Sequence, residues 1–79
     1  MTINEFLTRL YDELDIESLN SFTEDTNLKQ LDDWDSMAKM IFAAFVEDNF
    51  SIKLTDEQIK QFATVADIIN FIGRDKFTL

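Results

Sequence analysis

Gly73 is the only glycine in this chain of 79 residues, and there is no proline. Tight hairpin turns rely on glycine or asparagine in left-handed backbone, and sharp loops draw on proline. A sheet joined by hairpins therefore has little to be built from, and helices joined by polar loops are the fold class that remains. The chain also lacks cysteine and histidine. Disulfides and the usual zinc ligand sets are thereby removed as staples. The length predicts one domain, residues 1–79, held together by packing alone. Its 46% hydrophobic residues, eight of them Phe, are suited to that task.

Helix starts are readable along the chain. Thr2-Ile3-Asn4-Glu5 has the form of a capping box. Ile3, Phe6, Leu7, Leu10, Tyr11 and Leu14 follow as one helical stripe, predicting a first helix from Ile3 to Leu14. Residues 15–34 show no sustained period. So long a connection is expected to pack on the bundle or to contain a short turn of helix. Ile16, Leu19, Phe22, Leu28, Leu31 and Trp34 are its anchors. Asp35 is placed to cap a second helix from Ser36 to about Asn49. Thr55-Asp56-Glu57-Gln58 forms another capping box, opening a short third helix through about Phe62, with Ile59 and Phe62 inward. Thr64 caps a fourth, whose stripe is Val65, Ile68, Ile69 and Ile72. Gly73 sits where a helix C-terminus favours a left-handed residue. The tail to Leu79 is expected to fray.

Charge narrows the function. The formal net charge is -9, the wrong sign for a protein that neutralises phosphates. Residues 1–35 carry ten acids against two bases, whereas residues 36–79 carry six against five. Such a surface is steered towards basic partners. No segment approaches the ~18 apolar residues of a membrane span. Asn4 and Glu5 near the start do not resemble a signal peptide, so the cytoplasm is the expected compartment.

Most catalytic chemistry lacks its residues. Without His there is no Ser-His-Asp triad, and without Cys no thiol nucleophile. One glycine does not make a phosphate-binding loop. Asp32, Asp33 and Asp35 hint at calcium. An EF-hand counted from Asp32, however, has Met37 at the position that needs Gly and Ala43 at the one that needs Glu. No dedicated metal site is expected, and the paired carboxylates read as solvated surface charge. These absences argue against an enzyme.

The second helix is unusual. Met40 to Val46 is an unbroken run of seven apolar residues, which covers the whole helix circumference. Either the helix is central or one face is kept for a partner. Met37, Met40, Ile41 and Ala44 fall along one side, which Asp48 continues. Phe42, Ala43, Val46 and Phe50 lie on another side and are the better core candidates, with Phe45 between. Met suits a surface that several partners share, because it repacks easily. The plainer alternative puts both sides in the core.

The motif left over is Leu31-Asp32-Asp33-Trp34-Asp35-Ser36-Met37. Here the chain resembles the acyl carrier protein family, whose attachment motif is Asp-Ser-Leu or Asp-Ser-Met at the start of the second helix. The resemblance extends over Asp25-Thr26-Asn27-Leu28, over Glu47-Asp48-Asn49-Phe50, over Ile52 and Leu54 before Thr55-Asp56-Glu57, and over Thr64-Val65. It implies an all-α, four-helix carrier-protein bundle with three longer helices, a short third helix and a long first loop. It implies 4'-phosphopantetheine, donated by coenzyme A, on Ser36, with Asp35 orienting the metal-bound coenzyme A during modification. The expected partners are a phosphopantetheinyl transferase, an acyl- or aminoacyl-loading ligase and downstream acyl-using enzymes. They would dock on Met37, Met40, Ile41, Ala44, Glu47 and Asp48 of a monomeric carrier. A helix N-terminus is also where a phosphodiester is electrostatically favoured.

The chain departs from the family's common pattern. Acidic residues early in the second helix are replaced by Ala38 and Ile41, and Lys39 adds a positive charge. Asp33 stands where Gly is common, and Trp34 replaces a smaller residue. Trp34 is most simply a loop anchor, with a contact to the arm or to a partner as the alternative. These changes point to a specialised pathway rather than general fatty-acid synthesis. An aminoacyl carrier, of D-alanyl or peptidyl type, shares the motif. An unmodified helical interaction module is the rival from another class.

Overall fold

A computed structural model describes residues 1–16 and 22–78. Four helices follow in order: α1 (Ile3–Leu14), α2 (Ser36–Phe50), α3 (Asp56–Gln61) and α4 (Val65–Ile72). Single 3₁₀ turns occupy Leu28–Gln30 and Arg74–Lys76. The described residues contain no strand, so the all-α architecture with a short third helix is the one found.

Local chemistry sets the helix starts. Thr2 Oγ1 accepts from the Glu5 N–H at 3.0 Å, and the Glu5 carboxylate accepts from the Thr2 N–H at 3.2 Å. Thr55 and Gln58 repeat this arrangement at α3. A third capping box, Thr64 with Asp67, opens α4. The sequence offered only the cap there, because the box usually ends in Glu or Gln rather than the shorter Asp. At the other ends, α1 and α2 stop on Asp15 (φ 52°) and Ser51 (φ 58°), both left-handed. No glycine marks either position. Gly73 does take a positive φ of 103°, but with ψ 122° it lies outside the left-handed helical region and leads into the final 3₁₀ turn.

The core is one cluster whose fully buried members include Phe6, Leu10, Leu28, Phe42, Val46 and Ile69. Phe6 is its aromatic hub, with ring centroids at 5.8 Å from Phe45, 6.0 Å from Phe50 and 5.4 Å from Phe77. The tail does not fray up to Thr78: Phe77 is buried, and the Thr78 N–H donates to the Met1 carbonyl at 2.9 Å. A late aromatic residue meets the start of the chain there, a contact that no local pattern announces. Helix α2 buries only Ala38, Phe42 and Val46, one narrow stripe at helical spacing. Ala43 and Phe50 are half-buried rather than core.

The described part of the long connection is fastened to the bundle. Ile16, Phe22, Leu28 and Trp34 are buried and Leu31 is half-buried, whereas Leu19 lies outside the described residues. Its later part lies against the start of α4. The Val65 N–H donates to the Thr26 carbonyl at 3.2 Å and the Ala66 N–H to the Glu24 carbonyl at 2.9 Å. Donors that a helix start leaves without intrahelical partners are thereby satisfied. In return the Leu28 N–H donates to the Ala63 carbonyl at 2.8 Å, and Arg74 forms an ion pair with Glu24. Trp34 then packs edge-on against Phe42, ring centroids 5.5 Å apart, which fixes where the chain enters α2.

Candidate functional site

Asp35 ends the connection in extended backbone (φ -96°, ψ -174°) and turns the chain into α2. Its Oδ1 accepts from the Ala38 N–H at 2.9 Å, and its carbonyl accepts from the Lys39 N–H at 3.0 Å. Ser36 is therefore the first helical residue, and its side chain is exposed. The N–H groups of Ser36 and Met37 belong to the first turn, where the helix has no acceptor for them. Buried Ala38 and Trp34 hold the backbone on either side of this exposed hydroxyl.

Such a position suits a phosphodiester. Free amides and the positive end of the helix dipole face an anion attached at Ser36 Oγ. The exposed hydroxyl leaves room for a covalent arm and for the enzyme that installs it. The donor set at Ser36 thus fits the linkage through which a phosphopantetheine arm is held.

Of the remaining residues of the α2 face, Met40, Ile41, Ala44 and Asp48 border two grooves. Met37 and Met40 stand out, 70% and 73% exposed. Ala44, Glu47 and Asp48 are exposed and Ile41 is half-buried. Met40 borders a groove of about 350 Å³ between α2 and the Leu54–Lys60 segment, and Ser36 itself lines that groove. Ile41, Ala44 and Asp48 instead border a second groove of about 460 Å³, shared with Arg9, Asp12 and Glu13 of α1. Asp56 and Lys60 join Lys39 at the first groove only because the fold brings α3 beside α2. Trp34 is 9% exposed and packed on Phe42, as a loop anchor.

Among the described residues, no group of three or more acidic, His or Cys side chains is placed to hold a metal ion. No helix among them is long and apolar enough to cross a membrane.

Comparison with known proteins agrees with this geometry. The family model described as the phosphopantetheine attachment site matches residues 4–72. An acyl carrier protein of Myxococcus xanthus is 33% identical over 61 residues, covering 77% of this chain and 70% of its own. One from Micrococcus luteus is 33% identical with 77% and 68% covered. One from Borrelia garinii is 32% identical over 74 residues, covering 94% and 82%. No solved structure gives a significant match. With the match running through all four helices and across Ser36, the chain belongs to the acyl carrier protein family, whose cofactor is covalently attached 4'-phosphopantetheine.

Proposed function

We propose that residues 1–79 form a single carrier domain that bears 4'-phosphopantetheine on Ser36 and conveys an acyl group between the enzymes of a specialised pathway. The observation that carries this reading is the placement of Ser36: exposed, first in α2, and held between the Asp35 cap and buried Ala38. When bound, the arm supplies a terminal thiol that holds the acyl group as a thioester. The chain supplies placement. In the modification step the Ser36 hydroxyl gives its proton to a base of the transferase as Oγ bonds to the phosphorus of coenzyme A nearest the pantetheine, and adenosine 3',5'-bisphosphate leaves with the bridging pyrophosphate oxygen. Asp35 keeps the helix start in register for that attack and, by resemblance to the family, orients the metal-bound coenzyme A.

The transferase, a loading ligase and downstream acyl-using enzymes are the proposed partners. Met37 and Met40 form the apolar part of their docking site, with Ile41 and Ala44 beside them and Glu47 and Asp48 as the acidic end. An apolar start of α2 carrying Lys39 suits a dedicated partner better than the basic surfaces that a uniformly acidic helix attracts. The carrier itself catalyses nothing on this reading. Incubation with coenzyme A and a broad-specificity transferase tests it. Wild type gains the mass of one phosphopantetheine, and Ser36→Ala gains none. A folded wild type that stays unmodified, with the transferase active on another carrier, would favour an unmodified interaction module.

A further inference from the structure

The acidic charge of the two long helices does not lie beside Ser36. From Ser36 to Phe45, α2 contains no acid and a single base, Lys39. Helix α1 instead carries Glu5, Asp12 and Glu13 against Arg9, and α2 turns acidic only at Glu47 and Asp48. The groove of about 460 Å³ shared by these helices gathers much of that charge. Arg9, Asp12 and Glu13 line it from α1. Ile41, Ala44, Phe45 and Asp48 line it from α2. Each set recurs at intervals of three and four residues, so each runs as one stripe along its helix. The groove is therefore elongated, following α2 for about two turns, or roughly 10 Å. Asp12, Glu13 and Asp48 are exposed and have no ion-pair partner among the described residues. Arg9 is already paired with Glu5 of its own helix at 3.8 Å. Ile41 and Phe45 are half-buried, and core residue Phe6 backs the Phe45 ring at a centroid distance of 5.8 Å. The apolar strip is thus fixed before anything binds. Neither Ser36, Met37 nor Met40 borders this groove.

From this arrangement we propose that the α1–α2 groove is a second docking surface, occupied by a cationic amphipathic helix of a partner protein, which binds the carrier whether or not Ser36 is modified. Charge selects the sign of the partner. Three carboxylates and one guanidinium leave the groove negative by two, and Lys or Arg on an incoming helix complements them. Shape selects its form. A long groove whose apolar residues Ile41 and Phe45 stand one helical turn apart takes the apolar face of a helix. An anionic helix, a nucleic acid or an anionic lipid surface meets the same carboxylates and is repelled. The proposal does not rest on attachment at Ser36, because no residue of the groove bears or borders the arm.

The test titrates the isotope-labelled full chain with an amphipathic helical peptide of Leu and Lys, using a Leu and Glu peptide of the same pattern as control. With the Lys peptide, backbone NMR shifts fall on Arg9 to Glu13 and on Ile41 to Asn49. Affinity drops several-fold as salt is raised. It drops several-fold again in Asp12→Asn/Glu13→Gln, whose melting temperature stays that of wild type because both side chains are exposed. The unmodified and the phosphopantetheine-bearing protein bind alike. Shifts centred on Ser36 to Met40, or spread equally over Asp32, Asp33, Asp56 and Glu57, overturn the proposal. Equal binding of the Glu peptide, undiminished affinity in the double variant, binding by the modified form alone, or no binding at all would each overturn it as well.

Discussion

Asp35 and Ala38 are joined across Ser36: the carboxylate of the first accepts the backbone N–H of the second at 2.9 Å. The residue that precedes the candidate attachment hydroxyl therefore also fixes the turn of helix that presents it. Asp35→Ala removes the cap and costs about 1 kcal/mol of stability. Asp35→Asn keeps a capping oxygen and loses only a few tenths. Urea unfolding gives the two costs, and transferase kinetics show whether the charge matters beyond the cap. If Asp35→Asn is modified as fast as wild type, the carboxylate acts through helix geometry alone.

Trp34 and Phe42 tie the end of the long connection to the centre of α2. Trp34→Ala opens a cavity next to a fully buried ring and costs about 3–5 kcal/mol, a large part of the 5–15 kcal/mol typical of a whole domain. The unfolding midpoint falls steeply in consequence. A loss below 1 kcal/mol would contradict the packing described.

Met37 and Met40 are exposed, so replacing both by Ala changes stability by less than about 0.5 kcal/mol each. The effect appears instead in partner use, as a raised KM for the transferase or the loading ligase with kcat largely kept. Unchanged KM with both enzymes would remove these residues from the docking face.

The Asp67 carboxyl is held below its ordinary range, first by the backbone N–H of Ala63 and then by that of Thr64, both of which donate to it. A depressed carboxyl stabilises the fold fully above its unfolded pKa of about 3.9, and that contribution is lost as pH falls through the lower folded value. Asp67→Asn is therefore less stable than wild type at neutral pH, and its melting curve converges with wild type on strong acidification. Melting temperatures from pH 7 down to pH 2 check this. Curves that stay parallel would mean the carboxylate charge does nothing at the start of α4.

Much of the helical frame was legible because its signals are local. Thr2 with Glu5, Thr55 with Gln58, Asp35 and Thr64 each satisfy donors within the next turn. The predicted starts at Ile3, Ser36, Asp56 and Val65 accordingly coincide with those found. Contacts between distant segments were not legible. Glu24 and Arg74 pair across 50 positions, and Thr26 and Glu24 cap a helix that begins at Val65. Phe77 reaches the first helix through Phe6. At the site, Asp35 and Ser36 could be placed on a helix start from their neighbours alone. Lys60 became part of the same surface only when α3 was seen to border α2.

The central claim is that Ser36 is the residue that carries the arm, and site-resolved tandem mass spectrometry of the modified protein tests it most directly. The expected result is the phosphopantetheine mass on the fragment containing Ser36, with release of the pantetheine on activation and no such mass on Ser18, Ser21 or Ser51. The group on any of those residues, or on none, would contradict the account.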